Sequence, residues 1–347
     1  MKLNRNLRGT RTSPPGRRKP TRWVTGGKSA VMPRSHSILH PVSAPTQPRI
    51  AYATRRGTMI HGRSEDVLES MGPRLRGRVH LIFTSPPFPL NRKKRYGNET
   101  GDAYVGWLSA FAPLFRDLLA PKGSIVLEMG NAWEPGQPVM STLALRALLE
   151  FLRLGGFYLC QQFVCYNPAR LPSPAQWVNV KRYRLKDAYT HIWWMSPVTE
   201  PEADNRRVLK PYSTAMLKLL GRQRYNAGSR PSEHHIGSRS FLKDNNGAIP
   251  PNVLTISNTR ATDDYLEYCR ARGLKAHPAR MPYDLADFFI RFLSLPRNLI
   301  LDPFGGSNTT GAAAEQLKRR WLTIETSADY VEGSKGRFPV RELKIPK

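Results

Sequence analysis

Asn298-Leu299-Ile300-Leu301-Asp302-Pro303-Phe304-Gly305-Gly306-Ser307-Asn308-Thr309-Thr310-Gly311 decides the fold. An apolar strand runs into a turn of small residues, and a helix is expected from there over residues 312–317. Adjacent Gly305 and Gly306 let backbone come close to a ligand, and free amides at a helix start favour an anionic group such as a carboxylate. No lysine follows the glycines in P-loop fashion, which argues against a nucleoside triphosphate. The next strand, Arg320–Glu325, ends in an acid, and in doubly wound folds an acid at that place binds the two ribose hydroxyls of an adenosine moiety. The stretch therefore reads as a nucleotide-type strand-turn-helix of an α/β protein.

Far upstream, the apolar run Val79-His80-Leu81-Ile82-Phe83 enters Thr84-Ser85-Pro86-Pro87-Phe88. Two prolines fix the backbone and remove amide donors, so the Ser85 hydroxyl and the Pro86 carbonyl stand as acceptors and Phe88 offers a ring face for stacking. Such acceptors suit an exocyclic amine whose lone pair is drawn into an aromatic ring, because it reacts with an electrophile only when its N–H bonds are held and polarised. An ordinary turn after a strand could also carry these residues. The second motif decides between the two readings.

Together and in this order, the two motifs resemble those of the circularly permuted DNA amino-methyltransferases of restriction–modification systems, in particular the PvuII-type cytosine-N4 enzymes. The resemblance spans roughly residues 59–338. It also runs through Asn91-Arg92-Lys93-Lys94, Asn167-Pro168-Ala169-Arg170-Leu171-Pro172-Ser173-Pro174, Trp193-Trp194, the stretch from Asn245 to Asn252, and His277-Pro278-Ala279-Arg280. It implies a doubly wound, seven-stranded, Rossmann-like methyltransferase sheet with helices on both faces, and a smaller target-recognition region.

By the same resemblance Ser85 and Pro86, with Pro87, would hold the target amine while Phe88 stacks on a flipped base. Asp302, Phe304, Gly305, Gly306 and Ser307 would line the site of S-adenosyl-L-methionine (AdoMet), Glu325 would bind its ribose, and the segment with His277 and Pro278, followed by Phe288 and Phe289, would close it. Arg92, Lys93 and Lys94 would contact DNA. No metal is implied. Serine before the two prolines favours cytosine N4, with adenine N6 or a non-catalytic DNA-binding relative as alternatives. The expected partners are double-stranded DNA and a restriction endonuclease acting on the same site without stable association. A monomer in the bacterial cytoplasm, associated with the nucleoid when on DNA, is expected.

Two departures from the family pattern stand out. Gly62 is followed by Arg63 where an acid or amide is usual, and Glu233 occupies a position where glycine is expected.

The 347 residues, 40% hydrophobic and 10% aromatic, suffice for one large α/β domain with an added recognition region. The formal charge of +28 points to a polyanion; fourteen Lys and Arg and no acid precede Glu65, so half of that excess lies in the body. Residues 1–55 read as a disordered basic Pro/Arg-rich extension, either a nonspecific DNA tether or a segment of little consequence with the natural start at Met32 or Met59. Residues 56–197 read as the catalytic half, 198–258 as the recognition region and 259–340 as the AdoMet half. Helices are expected over 107–119 and 143–154, strands over 123–130, 157–166 and 187–195, and Leu285, Phe288, Phe289 and Phe292 recur at helical spacing.

The recognition region is rich in Arg, Asn, Gly, Ser, His and Pro, and Arg230, His234, His235 and Arg239 are its candidate DNA contacts. The two histidines lack a third ligand at metal spacing. Cys160, Cys165 and Cys269 show no metal or disulfide pattern and read as reduced packing residues of a cytoplasmic protein. No apolar run reaches membrane length.

Overall fold

The computed structural model describes residues 47–88, 101–257 and 263–346. Arg92, Lys93, Lys94 and most of the basic extension lie outside them. In chain order the strands are β1 (Arg49–Ala53), β2 (Gly57–His61), β3 (Val79–Thr84), β4 (Leu119–Gly130), β5 (Tyr158–Tyr166), β6 (Tyr189–Ser196), β7 (Gly228–Ser229), β8 (His235–Ile236), β9 (Val253–Thr255), β10 (Leu299–Asp302) and β11 (Arg320–Glu325). The helices are α1 (Ser64–Leu75), α2 (Gly101–Leu118), α3 (Leu143–Gly155), α4 (Thr214–Arg222), α5 (Asp264–Ala271), α6 (Tyr283–Leu293), α7 (Thr309–Gln316) and α8 (Ala328–Ser334).

Nine strands form one sheet in the order β1-β2-β11-β10-β3-β4-β6-β5-β9. From β2 to β4 all neighbours are parallel, and β5 and β6 form an antiparallel hairpin beside β4. Seven strands were expected from the resemblance. The two additional ones stand at the edges, where β1 folds back on β2 and β9 pairs parallel to β5. Strand β1 falls inside the stretch read from sequence as a disordered extension. It forms because Tyr52 is fully buried against Trp321 and Phe338, and because the Ala53 amide bonds the Lys344 carbonyl.

β3 explains why the two motifs converge. Leu81 and Phe83 alternate onto one face and pack with α6, Phe83 lying 5.7 Å from Phe289. Its neighbour β10 pairs through Leu301↔Ile82, so the Ser85 loop and the Asp302 turn emerge side by side at the same end of the sheet. On the chain they are some 220 residues apart. Phe289 and Phe292 of α6 are buried core, and Trp194 packs on Phe292 at 5.2 Å with its indole N–H on Ser124 Oγ. Cys165 and Cys269 are buried, and Cys160 is half-buried.

Between β6 and β9 the chain leaves the sheet, carrying α4, which buries no residue, and the two-residue strands β7 and β8. No helix among the described residues is long and apolar enough to cross a membrane.

Candidate active site

Asp302 is the keystone of the strand ends. Its carboxylate accepts from Thr84 Oγ1 (2.6 Å), Thr310 Oγ1 (2.7 Å) and the Phe304 amide (3.1 Å), tying β3, the glycine turn and α7 to one buried group. Burial pushes its carboxyl above the usual range, and the three donors oppose that shift. Asn308, at φ +56°, caps α7 by accepting from the Gly311 amide, while its own side-chain N–H reaches Tyr52 Oη. A Cβ on Gly311 would stand 2.1 Å from the Asn308 oxygen, so only glycine fits there.

The acid at the end of β11 faces the same turn. Glu325 accepts from the Gly306 and Ser327 amides, each at 2.8 Å, and burial raises its carboxyl against those bonds. Gly306 sits at φ +51°, and a Cβ there would press on the His277 ring at 3.2 Å. The expectation of a row of free amides needs correction. Those of Gly305, Gly306, Asn308 and Gly311 are bonded within the protein, because the turn is itself closed by hydrogen bonds. Ser307 and Thr309 are the hydroxyl residues that line the turn's side of the cleft with their protons not given to Asp302.

These groups open into a cleft with two halves. One, of about 630 Å³ including its mouth, has walls from Pro303, Phe304, Ile324 and Tyr330, with Glu325 and Ser64 at its polar points. The other, of about 360 Å³, is lined by Gly305, Gly306, Ser307, Thr309 and Thr310. Ser85, His277, Ala279 and Phe304 border both. Phe304 is held by Trp107 and Phe111, each ring 5.4 Å away, and His277 by Tyr330 at 4.6 Å. Pro278 is exposed, Phe289 belongs to the core, and neither lines these halves. Arg63, in the usual place of an acid, turns toward Glu65 and Asp66 of its own helix, while Ser64 Oγ donates to the Pro303 carbonyl.

Ser85, Pro86, Pro87 and Phe88 all line the first half. The Phe88 ring lies on Gly130, where a Cβ would approach it to 2.7 Å. Behind Ser85 stands Glu128 of β4, which sequence reasoning passed over. It is only 7% exposed, and its carboxyl accepts from the Thr190 hydroxyl at 3.1 Å. Burial raises its pKa, opposed by the Thr190 hydroxyl, by the nearby Ser85 hydroxyl and by the positive charge of Arg170. A lone acid within Ile125-Val126-Leu127-Glu128-Met129 was the available signal, since a carboxylate is seldom buried without a task.

Arg230, His234, His235 and Arg239 lie on and after the β7–β8 hairpin. Arg230 donates to the Asn226 carbonyl, His235 Nδ1 lies 3.3 Å from Ser229 Oγ, and His234 and Arg239 are exposed. Glu233 has φ +60°, the left-handed region that favours the glycine expected there. Among the described residues no group of His, Cys, Asp or Glu could hold a metal ion.

Fold and cleft define a group-transfer enzyme in which a cofactor cradle adjoins an acceptor pocket built on a neighbouring strand. The comparisons place it further: the family model described as DNA methylase (N6/N4) matches residues 79–336, and this chain belongs to that family. The type II methyltransferase M.PvuII of Proteus hauseri is 44% identical over 290 residues, 83% of this chain and 85% of that protein. M.BglII of Bacillus subtilis is 22% identical over 73% of this chain and 62% of its own length. The solved PvuII DNA methyltransferase (cytosine-N4-specific) superposes with a TM-score of 0.68 at 38% identity, covering 85% of this chain and 91% of that one.

Proposed function

We propose that this chain transfers a methyl group from AdoMet to the N4 amino group of a cytosine flipped out of double-stranded DNA. The observation that carries the reading is the place of Ser85, which borders both halves of the cleft and stands beside buried Glu128. The similarity to a cytosine-N4-specific enzyme supports the choice of base.

The cradle suits AdoMet. Apolar Phe304, Ile324 and Tyr330 fit an adenine ring, Glu325 the ribose hydroxyls, and Ser307 and Thr309 a carboxylate. When bound, the cofactor supplies an electrophilic methyl group. The protein does the rest by holding the acceptor. Ser85 gives its own proton to the Glu128 hydrogen bond, which leaves lone pairs on Oγ to accept one amine N–H. The Pro86 carbonyl accepts the other. Both interactions strengthen as positive charge develops on the nitrogen. The proton released after methylation passes through Ser85 to Glu128, a carboxylate whose raised pKa makes it the better proton acceptor. Phe88, braced on Gly130, stacks on the flipped base.

Within this reading residues 198–258 select the target, with Arg230, His234, His235 and Arg239 on the DNA side. The catalytic strand precedes the glycine-turn strand in the chain while lying beside it in the sheet, in keeping with the circularly permuted arrangement. The likeness to a type II methyltransferase supports pairing with an endonuclease of the same specificity, and the enzyme is proposed to act as a monomer. The test is Ser85→Ala in an assay of methyl transfer from labelled AdoMet to methyl-free DNA. Transfer should collapse while AdoMet binding persists, and a variant as fast as wild type would overturn the mechanism.

A further inference from the structure

Resting on that reading and extending it, we propose that the segment joining β5 to β6, residues 167–188, grips DNA beside the target base. Leu171 and Leu185 would fill the space that the extruded base vacates. Strands β5 and β6 are antiparallel, so their connection stands at the end of the sheet where Ser85 lies; Gly130, which supports Phe88, pairs with Thr190 at the start of β6. Arg170 donates to the Tyr189 carbonyl at 3.0 Å, and its charge acts on Glu128. Leu171 is the next residue and is 81% exposed. On the returning arm Asp187 accepts from Asn131, immediately after β4, at 2.7 Å. Leu185, two residues before it, is 90% exposed.

The loop is braced. The Asp187 amide bonds the Ser173 carbonyl, joining the two arms, and the amides of Tyr183 and Arg184 both reach the Trp177 carbonyl. Trp177 in turn packs on Trp133 at 5.5 Å. A single exposed leucine is ordinary on a protein surface. Two nearly naked ones, fixed on a braced loop at the Ser85 end of the sheet, ask for a partner. The charge says which. Five cations lie between residues 167 and 188 against one acid, Asp187, which is turned to Asn131. Arg184 and Lys186 give hydrogen bonds to backbone carbonyls, so their charge stays available to phosphates. An apolar tip among cations suits a duplex, where such tips wedge between base steps.

The experiment compares the full chain with Leu171→Ser/Leu185→Ser on two duplexes: one holding the site that wild type methylates, and the same duplex with its target cytosine mispaired. The double variant should lose about tenfold or more on the matched duplex and stay within about twofold of wild type on the mispaired one, whose base is already loosened. AdoMet binding should not change. Equal rates for both proteins on the matched duplex would overturn the wedge. Equal loss on both duplexes would also overturn it, since the leucines would then serve the chemistry or the fold. A wild type that methylates no DNA at all sinks the proposed function and this inference with it. Lys181→Gln/Arg182→Gln/Arg184→Gln should reduce the dependence of log affinity on log salt by about three. An unchanged slope would count against DNA contact by the loop.

Discussion

The strand ends around Asp302 and the excursion between β6 and β9 are built by opposite rules. At the strand ends the acids are committed: buried Asp302 takes three donors, half-buried Glu325 two backbone amides, and buried Glu128 the Thr190 hydroxyl. In the excursion α4 buries nothing, β7 and β8 are two residues each, Arg206 and Arg207 pair with nearby acids, and His234 and Arg239 are exposed. Burial makes the first region intolerant of change, because an orphaned partner inside a protein costs its full desolvation. The second can vary with little effect on the fold. A chemistry common to a family therefore sits beside a surface free to diverge.

The contrast breaks most severely at Asp302. Asp302→Ala orphans Thr84, Thr310 and the Phe304 amide, and should cost about 3 kcal/mol or more of stability, read from denaturant unfolding. A loss no larger than that of a surface change would show that the network is slack. Ser85→Ala should lower methyl transfer roughly 10²–10⁴-fold with little change in melting temperature. Glu325→Ala should weaken AdoMet by roughly 10–100-fold, measured by calorimetry.

Glu128→Gln separates chemistry from stability. Burial raises the folded carboxyl above its unfolded value, so its contribution to stability is fully present below the ordinary carboxylate range and fades as pH rises through the raised pKa. The amide variant should therefore leave stability equal or higher at pH 8 while slowing transfer. It should also remove the acid limb of the rate profile, where wild type loses its proton acceptor as pH falls. A retained acid limb would assign that titration elsewhere. The smallest effect belongs to the excursion. Arg239→Ala should change stability by no more than about 0.5 kcal/mol and lower the salt slope of DNA binding by about one.

Much of the first region was legible in the sequence. Strand β11 ends at Glu325 as expected, and the hairpin of β5 with β6 formed where its apolar runs lie. Local pattern carried that far because strand period and turn chemistry are written in consecutive residues. The sequence marks Glu128 only as a lone acid in an apolar run, and its role was not legible because it depends on Ser85, which follows the neighbouring strand. Gly130 and β1 were missed for the same reason: a ring from another loop and a burial partner near the far end of the chain define them. The left-handed turn at Glu233 was visible only as an oddity of residue type. For the excursion, composition pointed to a partner and could not set a geometry.

The most direct test is nucleoside mass spectrometry on methyl-free DNA incubated with the purified full chain and isotope-labelled AdoMet, resolving N4-methylcytosine, C5-methylcytosine and N6-methyladenine. The account predicts label in N4-methylcytosine alone. Label in N6-methyladenine would keep the fold and the cradle while contradicting the assignment of the acceptor, and no labelled base despite AdoMet binding would contradict the catalytic reading itself.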